Sequence, residues 1–306
     1  MSTYQEISKF KDSLLAKMKR EGKSENTTIS YLNTYNQFLK WIKENDNISL
    51  NDFMETDIYS FLDYKESILQ KQGELSVYTV NATIIHLRKL FSYIERNSRD
   101  GYDFSKVFED IKTKTPERKP KGLSENDLLK LLNYLERSKE DAKFLSYRNS
   151  LIIKFMLLGG LRVSEVLTIK RDMIELDENN HIFKIYFKGK GEKTRTSYIK
   201  EDDIADEIEF LGNTELPYAT SINKKPMLRG QINKMVNSLY RKLDIKGSGV
   251  HILRHTFAKG LLGQGVDITI VQKILGHSSI QTTSIYTNPN EQTIINQLTR
   301  EKNEQK

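Results

Sequence analysis

The sequence contains no cysteine, which excludes a disulfide framework and any thiolate metal site. It has no long apolar run, so nothing in it reads as a membrane span. The N-terminus is charged and polar from Tyr4 to Lys23 and lacks the apolar centre of a secretory signal. Internal repeats and extended low-complexity tracts are also missing. These absences point to a soluble intracellular protein, cytoplasmic and without a membrane partner. An excess of acid is lacking too. The 306 residues carry a formal net charge of +7 and a pI near 9.1, a mildly basic balance that suits a polyanion partner without proving one.

What is there concentrates in one stretch, His251 to Thr287. His251 and Arg254 stand three residues apart, so on a helix they share a face and can address one small target. A second helix follows, with Asp267 as its N-cap, an apolar stripe of Ile268, Val271, Ile274 and Leu275, and Gly276 just past its end. His277 then sits at a helix C-terminus, and Tyr286 follows in a polar segment. A cation, imidazoles and a phenol gathered so closely describe a site and not a core.

Their chemistry narrows the choice. With a pKa near 10, a phenol costs about 4 kcal/mol to ionise at pH 7. As a nucleophile it needs a neighbouring base and an electrophile whose developing charge is already compensated. His251 can take the proton, and Arg254 offers a planar fork of donors that fits two phosphate oxygens. The natural electrophile is a phosphodiester.

The run H-x-L-R-H-T-F-A from His251, followed by L-G-H-S-S-I-x-T-T-x-x-Y ending at Tyr286, resembles the C-terminal signature of the tyrosine recombinases, the phage-integrase family. Two upstream elements match it as well: Gly160-Leu161-Arg162-Val163-Ser164-Glu165, and Gly189-Lys190-Gly191 between two strand-like runs. Motifs in family order are far more specific than any one alone. The resemblance is strong over the catalytic half and extends to the N-terminal half in general layout only; the length is that of the short Xer-like members.

It implies a fold that is mainly α with a small antiparallel β-sheet: a helical, SAM-like core-binding domain followed by an α+β catalytic domain. It also implies a site-specific recombinase or integrase that cleaves duplex DNA at a particular recombination site through a 3′-phosphotyrosyl ester. Arg162 and Arg254 would hold the phosphate, His251 would act on the tyrosine proton, Lys190 would protonate the leaving oxygen and His277 would hydrogen-bond the phosphate. No cofactor and no metal are implied. The partners implied are DNA and three further copies of the chain, two protomers per site, with a C-terminal helix that members of the family often lend to a neighbour. Such an enzyme works at the nucleoid. Two other readings stay open at this level, a type IB topoisomerase-like relaxing enzyme and a non-catalytic DNA-binding regulator.

Residues 1–111 read as helical. A first helix begins near Thr3 and carries Phe10, Leu14, Leu15 and Met18; a second follows Ser24, with Tyr31, Tyr35, Phe38, Leu39 and Ile42 on its apolar side. A third runs from Phe53 to Leu69 and a fourth follows Ser76 with Val80, Ile84, Leu87, Phe91 and Ile94. The tyrosines and phenylalanines of this region read as core. Its net charge is −2, so DNA contact here must come from a face: Asn33, Asn36 and Lys40 on one helix, Arg88 and Lys89 on another. Taken singly, each of these reads as solvated surface.

Residues 112–122, KTKTPERKPKG, have a net charge of +4 and two prolines, the marks of a linker. Lys119 and Lys121 could track a phosphate backbone, and a solvated tether explains the composition equally well.

From 123 to 306 the net charge is +5. Ser124 caps a helix whose buried stripe is Leu128, Leu131, Leu132 and Leu135. Leu151 to Leu158 is nearly continuous apolar sequence, a buried helix that Gly159-Gly160 ends before Arg162. Glu165 reads as a residue that orients an active-site arginine or histidine. His181 to Ile199 reads as a hairpin with Lys190 at its tip and Lys188 as the alternative general acid; Lys193 and Arg195 read as phosphate contacts. His255, one turn after His251, makes an H-x-x-x-H pair, yet Ile252 stands where a zinc hydrolase needs glutamate. It reads as a packing or supporting residue.

Overall fold

The computed structural model describes residues 2–45, 48–68, 74–112, 122–188, 194–212 and 216–276. The chain divides into two compact units, Met1–Glu117 and Arg118–Lys306. The division falls inside the basic run, of which 113–121 lie outside the described residues. Among the described residues no helix is long and apolar enough to cross a membrane.

The first unit consists of α1 (Thr3–Arg20), α2 (Glu25–Glu44), α3 (Glu55–Ile68), α4 (Val77–Asn97) and a short α5 (Ser105–Glu109). Serines start three of them. Ser2, one residue before the expected start, exchanges hydrogen bonds with Gln5; Ser24 and Ser76 accept from the backbone N–H groups of Thr27 and Thr79, satisfying donors that a helix start leaves unpaired. α3 begins two residues later than expected because the Asp57 carboxylate accepts the Met54 N–H at 2.8 Å and closes the first turn there. Leu69 lies outside the described residues.

The core of this unit is aromatic. Phe38 packs edge-on to Phe61 at 5.1 Å, and Phe91 packs on Phe53 at 4.7 Å and on Phe104 at 4.8 Å. Not every ring is inside, contrary to the sequence reading: Tyr4, Tyr59 and Tyr78 are exposed. They sit at helix positions out of phase with the buried stripe. α5 was not expected, its five residues being too few to show a period. Arg88 braces its end, donating to the carbonyls of Phe108 at 2.8 Å and Ile111 at 2.7 Å. Arg88 is thus engaged internally, whereas Asn33, Asn36 and Lys40 on α2 are exposed. Lys89, half-buried, lies 5.7 Å from the centre of the Tyr31 ring.

The second unit holds α6 (Glu125–Ser138), α7 (Phe144–Leu157), α8 (Val163–Val166), β1 (Ile174–Asp177), β2 (Ile182–Lys188), β3 (Thr194–Lys200), α9 (Glu201–Leu211), α10 (Arg229–Lys242), α11 (His251–Gly263) and α12 (Ile268–Leu275). The strands form one antiparallel sheet in the order β1-β2-β3, with Ile174 opposite Ile185 and Phe183 opposite Ile199. Alternation along β2 sends Phe183, Ile185 and Phe187 into the core. β1 was not read from the sequence, since four residues with one fully buried side chain carry little pattern.

α7 is the axis of this unit, buried from Ser150 to Leu157. Its Lys154 is buried with it, at 2.7 Å from both Glu136 of α6 and Glu207 of α9. The Ser150 hydroxyl donates to the same Glu207 oxygen at 2.6 Å. A charge removed from water needs such partners, and these pin α7 to its two neighbours.

Candidate active site

The site begins where α7 ends. Gly160 has φ +64°, and a Cβ there would collide with the Phe257 ring of α11. Only glycine allows both the left-handed turn and the close approach. The chain then reaches Arg162, extended at φ −76° and ψ 151°, immediately before α8.

Glu165, on α8 and only 5% exposed, collects three arginines. Its Oε2 accepts the Arg162 backbone N–H at 2.6 Å, and its Oε1 accepts the Arg162 guanidinium at 2.9 Å. Arg195 of β3 donates to Oε1 at 3.0 Å. Arg254 of α11 places Nη1 3.7 Å from Oε2. One carboxylate thereby gathers three arginines that the sequence singles out.

That third, Arg195, is turned inward: besides Glu165 it donates to the carbonyl of Ile274 at the end of α12, and its guanidinium lies 5.3 Å from the Phe187 ring centre. Gly276 makes room for it. Its φ of +60° closes α12 in a left-handed cap, and a Cβ at this position would collide with the Arg195 guanidinium. Asp267 caps the other end of α12, accepting the Thr269 N–H at 2.7 Å. Val271 and Leu275 are its buried positions, with Ile268 and Ile274 half-buried.

Arg254 is held just as firmly. It donates to the carbonyls of Gly160 and, at 2.5 Å, of Leu275. The side chain is 8% exposed, whereas about a third of the Arg162 side chain (34%) faces solvent.

His251 opens α11 and is exposed. Its Nε2 lies 3.3 Å from a guanidinium nitrogen of Arg229, the first residue of α10. Partial desolvation, then the charges of Arg229, Arg254 and Arg162, push its pKa below the ordinary value. His255, half-buried, is lowered as well, first by desolvation and then by His251 and Arg254. Among the described residues no group of three or more His, Asp or Glu could hold a metal ion. Lys188 ends β2 and is exposed. Lys119, Lys121, Lys190, Lys193, His277 and Tyr286 lie outside the described residues.

Arg229 was missed from the sequence, as were two asparagines behind it. Asn233 accepts the Val250 N–H at 3.3 Å and Asn237 the Gly249 N–H at 2.7 Å. The four-residue spacing of 229, 233 and 237 marks one helix face, but nothing local says that this face meets the start of α11.

A carboxylate ringed by arginines, with an imidazole beside them, concentrates positive charge at the junction of α8, β3 and α11. The chain belongs to the phage integrase family. Residues 121–293 match the phage integrase family and residues 10–98 match the phage integrase N-terminal SAM-like domain. Among its relatives are the tyrosine recombinases XerH of Campylobacter jejuni, 30% identical over 281 residues, 87% of this chain and 77% of that one, and XerD of Vibrio cholerae, 30% identical over 280 residues, 87% of this chain and 86% of that one. A crystal structure of the XerH site-specific recombinase bound to difH substrate, a pre-cleavage complex, is similar over 94% of this chain and 83% of that chain, with a TM-score of 0.70 and 25% identity.

Proposed function

We propose that this tyrosine recombinase cleaves duplex DNA by attack of Tyr286 on a scissile phosphate. The bond formed is a 3′-phosphotyrosyl ester, and the bond broken releases a 5′-hydroxyl. Arg162 and Arg254 hold the non-bridging oxygens, and His277 adds a hydrogen bond. The tyrosine proton passes to His251, and the departing 5′ oxygen takes a proton from Lys190. Because the ester conserves the energy of the phosphodiester, the 5′-hydroxyl of a partner strand reverses the step without a nucleotide cofactor.

The observation that carries this reading is the meeting of Arg162 and Arg254 on Glu165. A preorganised pair of forks costs no reorganisation when charge develops on the phosphorane oxygens. Loss of one donor of this kind removes about 3–4 kcal/mol, on the order of a thousandfold in rate.

Exchange between two duplexes needs four cleavages and therefore four protomers, two on each specific site. The short apolar stripe of Ile294, Ile295 and Leu298 suits a helix lent to a neighbouring protomer. The protein then works at the nucleoid, where its substrate is. A duplex nicked near the cleavage point traps the ester because the short 5′ fragment diffuses away. Metal-free wild-type protein should give a covalent adduct on it and Tyr286→Phe none; an adduct that persists in Tyr286→Phe rules the assignment out.

A further inference from the structure

We propose that Arg229 is a positioning residue for His251, holding the imidazole neutral with its proton on Nδ1 and its lone pair on Nε2. This rests on the assignment of His251 to the tyrosine proton and extends it.

The argument starts from valence. A guanidinium has five donors and no acceptor, so at 3.3 Å from His251 Nε2 the hydrogen bond has one direction: Arg229 donates and Nε2 accepts. A ring that accepts at Nε2 carries its proton on Nδ1 and no charge. Protonating Nε2 would set two cations in contact. Among the described residues, the charged and titratable groups around the ring are Arg229 from α10, Arg162 ahead of α8, and Arg254 and His255 from α11 itself. The three arginines all oppose the imidazolium.

The placement of Arg229 is built. Asn233 and Asn237, at four-residue steps along the same face of α10, take the N–H groups of Val250 and Gly249, the two residues before His251. Gly249 has φ +77°, which turns the chain into α11 at that point. The Gln231 side chain accepts the Leu228 N–H at 2.8 Å and closes the first turn of α10. One helix face therefore fixes both the backbone that delivers His251 and the nitrogen from which its lone pair points. Cleavage begins when the Tyr286 hydroxyl replaces Arg229 at that lone pair.

The chain has five histidines, so the ring of His251 can be followed by NMR in the full-length protein, with His251→Gln for assignment. The ring should be in the Nδ1–H form and titrate below the ordinary histidine value. Arg229→Gln should raise the midpoint and mix the tautomers, whereas Arg229→Lys keeps the charge and should retain most of the midpoint. On the nicked duplex, Arg229→Gln should move the acidic limb of the cleavage profile to higher pH, with a several-fold loss below it and only the small loss that tautomer mixing causes on the plateau. An unchanged midpoint and tautomer in Arg229→Gln overturns the proposal, as does an equal loss of cleavage at every pH. If wild-type protein forms no adduct, the assignment of Tyr286 fails, and the titration still decides the role of Arg229.

Discussion

Arg254 ties together two chain reversals that are far apart in sequence, donating to the carbonyl of Gly160 after α7 and to that of Leu275 at the end of α12. The Leu275 carbonyl belongs to a helix end, whose last oxygens lack partners within the helix, and the Gly160 carbonyl lies in the turn just beyond one. The side chain that grips phosphate in the proposed reaction is also the one that clamps its own scaffold. Lysine cannot serve both, having no fork. Arg254→Lys should therefore lower the melting temperature and slow cleavage by about a thousandfold; a variant with wild-type stability and slow cleavage alone would show that the clamp is dispensable.

Glu165 is the next point of leverage. Replacing it with alanine strands Arg195 and Arg254 in a largely buried site and should cost about 3 kcal/mol of unfolding free energy in urea titration. The effect stays at the lower end of the range because Arg162 keeps a third of its side chain in water (34%) and is screened there. A loss well under 1 kcal/mol would mean that the backbone carbonyls alone hold these arginines.

Gly276 answers to two constraints that can be separated. Gly276→Ala adds left-handed strain, about 1 kcal/mol, and a collision with Arg195. Gly276→Asn relieves the strain because asparagine tolerates this conformation, and it keeps the collision. Both should be destabilised, and Arg195→Ala should recover more stability in the Gly276→Ala background than it does alone. A strictly additive double mutant would remove the steric part of the argument.

In the first unit, His86 is buried against Tyr31, with Nδ1 2.8 Å from the Thr34 hydroxyl. Burial first, then the charge of Lys65, pushes its pKa down from 6.5 to about 4. The unfolded chain thus binds a proton on this residue across the interval from pH 6.5 to pH 4 and the folded chain does not, so stability falls as pH falls through that window. The loss attributable to His86 is about 3 kcal/mol at pH 4. Urea titrations of wild type and His86→Gln at pH 7 and pH 4.5 should show a smaller pH-dependent loss in the variant. Equal losses would refute the linkage.

Much of this was open to inspection in the linear sequence because the informative signals are local. A histidine and an arginine three apart, glycines at helix ends, and serines or an aspartate at N-caps all act within one turn, and α2, α4, α11 and α12 begin where those residues stand. What stayed hidden depends on contacts between distant segments. Arg195 looks like any basic residue of a hairpin, and only the approach of α12 shows why it bends inward. Arg88 looks like a surface cation until α5 folds back to receive it. Tyr59 and Tyr78 read as core on residue type alone, which says how much area a ring would bury but not which way its helix faces.

Three guanidinium groups around one carboxylate leave two positive charges uncompensated within that set. Such a cradle repels itself, and the fold bears the cost. An arriving phosphodiester relieves part of that tension, so substrate and architecture support each other: the junction of α8, β3 and α11 should resist amide exchange more strongly with DNA bound than without it, and added salt should narrow the difference.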